Sequence, residues 1–180
     1  MSDPSAAVQP LLQARQVREY TDEPVDPAQL GALADVARWS GSSQNSQPWR
    51  FILIRETATL RTIAEAGVPQ TRSLLTARAA IAIAVAEEKG RGISRAYDEG
   101  RAAERILVGA SMLGLGAGVA WLVADVRPKV GELLGVPEPY FVRTVVALGH
   151  PTQRARQPKS SPGDARLPRE ETVFEERWGG

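Results

Sequence analysis

Three short clusters along the chain carry residue types that could do chemistry. In Ala14-Arg15-Gln16-Val17-Arg18-Glu19-Tyr20, two arginines stand three positions apart at the end of a short helix. Such a pair can converge on one anion, because guanidinium forks grip phosphate through parallel hydrogen bonds. A solvated basic helix end, favoured by the helix dipole, accounts for the same residues without a ligand. In Gly41-Ser-Ser-Gln-Asn-Ser-Gln-Pro-Trp49, small and amide side chains precede a Pro-Trp pair and the apolar run Phe51-Ile52-Leu53-Ile54. That loop offers many donors and acceptors and almost no charge, which suits a flat, polar, uncharged heterocycle; an ordinary Ser/Asn turn beside a packed Trp is the plainer reading. In Gly114-Leu115-Gly116-Ala117-Gly118-Val119, a helix gives way to a strand, so backbone amides can be exposed to a ligand. The glycines close a helix instead of opening one, which rules out a dinucleotide fingerprint and leaves a helix C-cap with tight packing as the alternative.

The elements that must position these clusters can be read from periodicity and punctuation. Residues 1–9 read as a loose leader before a short helix ending near Arg15. Asp26-Pro27-Ala28-Gln29 predicts a capped helix start, with Gln29 reaching back to the cap, and Leu30, Leu33, Ala34 and Ala37 give one apolar face up to about Trp39. Phe51 to Arg55 reads as a buried strand, Thr57 to Glu65 as a helix stopped at Gly67, and Ala79 to Ala86 as a central strand. Asp98 to Leu115 is a long helix whose small residues Gly109, Ala110 and Ser111 admit a close neighbour, either a helix of the same chain or a partner subunit. Val119 to Ala124 and Phe141 to Leu148 complete the strands, with a short helix from Pro128 to Leu134 between them. Beyond Gly149 a Pro-rich, basic segment carries no core pattern until Val173-Phe174 and Trp178, so it is either disordered or an extended arm needing another surface, and the two aromatics favour the arm. Interleaved strands and helices make this an α+β chain, divided into a leader (1–9), a core (10–150) and an arm (151–180).

Composition narrows the function. The 180 residues carry 22 basic and 21 acidic side chains for a net charge of +1, and 6% aromatics, which offers no platform for nucleic acid. Cysteine is absent, so disulfides, thiolate metal sites and dithiol redox chemistry are excluded. The single histidine, His150, has no close carboxylate pair and reads as a strand-end residue, so no metal is expected. The longest apolar run is too short to span a bilayer and the N-terminus lacks a signal pattern, which makes a cytoplasmic location the expectation.

Taken together and in order, the three clusters resemble the FMN-dependent nitroreductase family. Its pattern of an Arg-Arg-Ser-x-Arg-x-Phe/Tyr start, an Asp-Pro helix start, a Ser-Ser-x-Asn-x-Gln-Pro-Trp loop, a Gly-Leu-Gly, a Leu-Gly-x-Pro and a basic Arg-Leu-Pro tail corresponds here to Arg15–Tyr20, Asp26-Pro27, Ser42–Trp49, Gly114–Gly116, Leu148–Pro151 and Arg166–Pro168. The match runs over about residues 11–178. Gln16 stands where Ser is usual, Gly41 where Pro is usual, and Asp164 precedes Arg166 where a Lys often assists. The stretch between Val85 and Asp98 is also brief where relatives insert helices that roof the substrate pocket.

The resemblance implies an α-β-α sandwich around a mostly antiparallel sheet, in a homodimer whose C-terminal arms exchange over the partner and which binds FMN between its subunits. It implies Arg15 and Arg166 at the FMN phosphate, Gln16 at a ribityl or phosphate oxygen, and Arg18 at the flavin pyrimidine edge, where a cation favours the reduced flavin. Ser42, Ser43, Asn45 and Gln47 would approach the flavin from the partner, and an amide within Gly116, Ala117, Gly118 and Val119 would meet flavin N5. The implied activity is ping-pong: NAD(P)H reduces the flavin by hydride transfer to N5, and a small electron-poor acceptor such as a nitroaromatic or quinone then removes the electrons. No catalytic side chain is required. An FMN-binding sensor or carrier without efficient NAD(P)H turnover is the alternative that the same residues allow.

Overall fold

The computed structural model describes residues 3–157, 160 and 166–179. Asp164 and the other positions between lie outside the described residues. The helices are α1 (Pro4–Gln13), α2 (Pro27–Arg38), α3 (Thr57–Gly67), α4 (Gly92–Met112), α5 (Arg127–Leu133), α6 (Gln153–Arg156) and α7 (Arg169–Thr172), with single 3-10 turns at Ser43–Asn45 and Arg72–Leu75. The strands are β1 (Trp49–Ile54), β2 (Ala79–Ala86), β3 (Gly116–Trp121) and β4 (Tyr140–Gly149). They form one sheet in the order β1-β2-β4-β3, with every neighbouring pair antiparallel.

β2 shows why the layers form. Its sequence, Ala-Ala-Ile-Ala-Ile-Ala-Val-Ala, is apolar throughout, as a strand covered on both faces requires. Side chains alternate across the sheet, so Ala79, Ile81, Ile83 and Val85 join a core with Leu30 and Leu33 of α2 and Ala102, Ile106 and Ala110 of α4. Ala80, Ala82 and Ala84 join a second core with Leu60 and Ile63 of α3 and Val130 of α5. The branched residues fill one layer and the alanines let the other come close. The result is an α-β-α sandwich.

The pairing of β2 with β4 shifts between Ile83↔Thr144 and Ala84↔Val142, which leaves Arg143 as the extra residue of a bulge. The bulge changes the parity of β4: Val142, Val145 and Ala147 lie in the α3/α5 core, and Val146 and Leu148 lie opposite. Arg143 is thereby freed from the ladder's alternation, and its guanidinium pairs with the buried carboxylate of Glu99 on α4.

Several expectations shift in detail. α1 starts at Pro4, inside the segment read as a leader, because Asp3 caps it by accepting from the Ser5 N–H. Asp26 caps α2 as expected, but Gln29 does not reach back; its amide donates to the Leu113 carbonyl at 3.3 Å and ties α2 to the end of α4. β1 is an edge strand with Leu53 43% exposed, so it is not buried throughout. β3 begins at Gly116, three residues earlier than the reading of Val119 to Ala124. The close neighbour admitted by Gly109 is α2 of the same chain, since a Cβ there would come within 3.0 Å of Leu33 Cδ2. α4 ends in a Schellman turn, with Gly114 at φ +74°, the Leu115 N–H bonded to the Ala110 carbonyl and the Gly114 N–H to that of Ser111. No helix among the described residues is long and apolar enough to cross a membrane.

The segment Val17–Tyr20 lies against β3 and β4 only because glycines stand beneath it. A Cβ on Gly116 would come within 2.8 Å of Val17, one on Gly149 within 2.8 Å of Tyr20, and one on Gly118 would overlap the Val17 carbonyl oxygen. Gly118→Ala is expected to destabilise the protein by about 3 kcal/mol, as overpacking against backbone does. Gly31→Ala, in α2 with nothing within 4 Å of the new carbon, is expected to stabilise it by about 0.5–1 kcal/mol. Urea unfolding of the two variants checks both signs.

Candidate functional site

The chain leaving α1 becomes a partial fifth strand. Val17 N–H donates to the Ala117 carbonyl at 2.7 Å, Gln16 bridges Ala117 in parallel, and Tyr20 bridges Pro151 in antiparallel. Tyr20 pins the segment: its buried hydroxyl lies 2.6 Å from the Val17 carbonyl and 3.1 Å from that of Ala147. Desolvation pushes the Tyr20 phenol well above its ordinary value, an effect that the nearby Arg18 charge only partly offsets. Thr21 N–H donates to the carbonyl of His150 at 2.8 Å, and His150, at the end of β4 as its sequence position suggested, faces Glu23 at 3.5 Å.

This arrangement brings Gln16, Arg18 and Gly116–Val119 together. Gln16 Oε1 accepts from Arg18 Nη2 at 3.1 Å and from the Val119 N–H at 3.3 Å. Val119, one of the amides considered for flavin N5, is thus engaged by the glutamine that replaces the usual serine. Arg15 donates through Nη2 to the carbonyls of Ala155 and Arg156 and so joins the first segment to α6. Two cavities flank the segment and share Val17 and Ala155 as a wall. One, of about 430 Å³, is bordered by Gln16, Arg18, Glu19, Arg72, Thr76 and Arg154. The other, of about 300 Å³, includes Arg15, Ser111, Gly114 and Arg156. Five guanidiniums against one carboxylate form a donor set for a polar ligand carrying phosphate. FMN fits that chemistry: a dianionic end for the arginines, hydroxyls for Gln16 and Thr76, and backbone amides along β3.

Arg72 and the pair Arg154/Arg156 were not assigned to this cavity from sequence. The signal for the pair is Thr152, which caps α6 by accepting from the Ala155 N–H and so turns Gln153-Arg-Ala-Arg156 back over the Arg15 segment. Arg72 borders the larger of the two cavities, whereas Arg91 and Arg95 are ion-paired to Glu88.

The loop with Ser42, Ser43, Asn45 and Gln47 is not brought to this cavity in the same chain. Trp49, which follows it, is level with Val85 and Phe141, whereas Ala117 is level with Leu148. Seven residues of β4 separate those levels, and two strands stand between β1 and β3, so roughly 25 Å lies between the two clusters. The loop sits instead against the first half of α4, where Ser43 N–H donates to Asp98 Oδ1 at 3.0 Å. Arg166 belongs to the described residues and is exposed, in the chain that follows α6.

The sequence model of the Nitroreductase family matches residues 11–74, which hold both the arginine segment and the serine loop. The chain is 32% identical over 143 residues to the "Putative NADH dehydrogenase/NAD(P)H nitroreductase" of Archaeoglobus fulgidus, covering 76% of this chain and 80% of that one. This chain belongs to the nitroreductase family. Among solved structures, a protein of the same name from Parabacteroides distasonis superposes with a TM-score of 0.80 at 26% identity, covering 96% of this chain and 99% of the other. An FMN-dependent nitroreductase from Clostridium difficile shares the fold, with a TM-score of 0.80 at 23% identity and coverage of 94% and 99%. Within the nitroreductase fold, this chain joins β2 to α4 by residues 87–91 alone.

The Tyr20 environment sets a pH dependence. Folded Tyr20 keeps its proton where the unfolded chain, with a phenol near 10.0, releases it. Its contribution is therefore complete below about pH 10 and is lost as pH rises beyond that, by about 1.4 kcal/mol per pH unit until the folded phenol ionises. Tyr20→Phe is expected to lose about 1–2 kcal/mol at neutral pH through its hydrogen bonds and to show a shallower decline above pH 10. Denaturant titrations of both proteins at pH 8 to 11 measure the difference.

Proposed function

We propose that this nitroreductase is a homodimeric, FMN-dependent oxidoreductase that takes electrons from NAD(P)H and passes them to small electron-poor acceptors such as nitroaromatics or quinones. The observation that carries the reading is the basic, amide-lined ledge formed by Arg15–Arg18 against β3. The names of the Archaeoglobus and Parabacteroides relatives support the electron donor, and that of the Clostridium relative supports the cofactor. FMN, when bound, would supply the redox chemistry between NAD(P)H as hydride donor and the electron-poor acceptor that follows it.

The protein's own residues bind, orient and tune. Arg15 and Arg166 hold the phosphate, with Arg154 and Arg156 adding positive potential beside them. Arg18 places a cation at the pyrimidine edge, which favours the reduced cofactor. Gln16 offers its amide to the ribityl chain, and Gly116, Ala117, Gly118 and Val119 present the backbone from which one N–H serves the reacting edge. Ser42, Ser43, Asn45 and Gln47 contribute from the partner, because a cofactor touching both clusters needs two chains when one chain holds them roughly 25 Å apart.

The surface beside the loop supports that dimer. A groove of about 760 Å³ bordered by Gly41, Ile93, Tyr97, Gly100 and Arg101 carries Ile93 and Tyr97 at 77% and 71% exposure. Trp39 nearby is 71% exposed. Side chains of this size left in water are a feature of faces that associate. In the arm, Phe174 and Trp178 pack on each other at 4.9 Å while Trp178 is 90% exposed. Of the arm, 151–180, the part from Pro151 to α6 packs on this chain's own Arg15–Tyr20 segment, and we assign the part beyond α6 to a place over the partner, the core, 10–150, to the sandwich, and the whole to the cytoplasm.

An anaerobic visible spectrum of FMN-saturated, desalted protein tests the reading. Flavin bands that survive desalting and bleach with NADH or NADPH are the expected result. Bands that persist with either donor would replace the reductase by an FMN sensor or carrier, and their absence would remove FMN altogether. Arg15→Ala combined with Arg166→Ala is expected to abolish flavin retention while sedimentation still shows a folded dimer, with about 1.5–3 kcal/mol lost per charge-assisted contact.

A further inference from the structure

The serine loop adopts a backbone that its own residues do not favour. Gln44, Asn45 and Gln47 have φ of 54°, 51° and 45°. In this left-handed region a side chain crowds the following carbonyl, and glutamine has no local compensation for it. Within the loop, Ser42 Oγ accepts from the Gln47 N–H at 2.9 Å and the Ser42 carbonyl from the Asn45 N–H at 3.0 Å. Those bonds describe a tight turn but leave it unattached to the rest of the fold.

Attachment comes from one stripe of α4 and the residue before it. Arg91 reaches Gln44 Oε1 at 3.4 Å, Arg95 Nη1 donates to Ser46 Oγ at 2.7 Å, and Asp98 Oδ1 accepts from the Ser43 N–H at 3.0 Å. Spacings of four and three residues put these side chains on a single helix face. Arg101, one turn on, packs where a Cβ on Gly41 would come within 3.1 Å of Nη2. Asp98 and Arg95 are 2% and 7% exposed, and Glu88, in the turn before α4, pairs with both Arg95 and Arg91. Holding a carboxylate and a guanidinium out of water is unfavourable unless they are well partnered. The apolar, core-facing stripe of the same helix begins at Ala102 and Ile106.

We propose that Asp98, whose Oδ2 lies 3.7 Å from Arg95 Nη1, is the positioning residue that sets the serine loop for its part in cofactor binding and turnover. It touches no reacting atom. It acts through the Ser43 amide, which fixes where Ser42, Ser43 and Asn45 stand relative to the partner's cofactor. The inference rests on the reading that this loop meets FMN across the dimer.

The test compares wild type with Asp98→Ala, Asp98→Asn and Ser46→Ala, measuring the FMN dissociation constant, the visible spectrum of bound flavin, kcat and KM for NAD(P)H, thermal midpoint and sedimentation. Asp98→Ala is expected to weaken FMN by about tenfold to a hundredfold and to shift the bound-flavin spectrum while remaining dimeric. Asp98→Asn keeps an acceptor for the Ser43 N–H and is expected to recover most of the affinity. Ser46→Ala, at an exposed loop position that does not endanger folding, is expected to shift the spectrum in the same direction with the thermal midpoint unchanged. A lower thermal midpoint for Asp98→Ala with wild-type flavin affinity, spectrum and kinetics would overturn the proposal and leave the FMN reading intact. If Asp98→Ala does not fold, an unaltered spectrum and affinity in Ser46→Ala overturns it. A wild-type protein that retains no FMN overturns both.

Discussion

A polypeptide can lie flat against a sheet and hydrogen-bond to its edge only where the sheet offers no side chains in the way. Gly116, Gly118 and Gly149 provide that bare strip, and Val17 and Tyr20 occupy it. The rest of the candidate site depends on this contact. With the Val17 N–H on the Ala117 carbonyl, Gln16 reaches the Val119 amide, Arg18 turns onto Gln16, and Arg15 meets the carbonyls that end α6. The buried Tyr20 hydroxyl fastens the strip at its far end. Close backbone approach therefore does double duty, completing the sheet edge and arranging polar groups along it.

The second constraint is electrostatic. α4 begins with charged residues that are buried, and its apolar stripe follows one turn later. Glu88, Arg95 and Asp98 hold the serine loop, while Glu99 takes Arg143 from the β4 bulge. Arg143 also lies over the rings of Trp121 and Phe141, at 5.4 and 5.6 Å. One helix thus ties the loop before β1 to the far strands of the sheet by charge where hydrophobic packing does not reach. Rigidity at the loop comes from these partners, since its own backbone angles oppose it.

Much of this was legible in the linear chain because the signals are local. The Asp26-Pro27 cap, the apolar alternation of β2, the Gly114 stop of α4 and the β4 run each depend on residues within a few positions of one another. The start of β3 was misplaced because Gly-Ala-Gly has poor strand propensity, and its extension is imposed by neighbours on both sides. Gln29 was read as a local cap partner, yet Leu113 competes for it from eighty-four residues away. The roles of Asp98, Arg95 and Arg72 were hidden for the same reason: a charged residue on a helix or turn reads as solvated until the opposing surface is known.

By itself, then, the sequence determined the residue chemistry: arginines able to hold a phosphate, an uncharged amide-rich loop, no thiol, and a glycine run beside a strand. It also determined the local elements, since caps, turns and periodicity act over one or two helical turns. Only the tertiary structure decided which of these meet. It joined Arg15–Arg18 to β3 through a strip without side chains and set the serine loop at the opposite corner of the sheet. It also converted a polar helix start into a buried clamp. Proximity of that kind is a property of strand order and helix packing, which no spacing in a linear chain encodes directly.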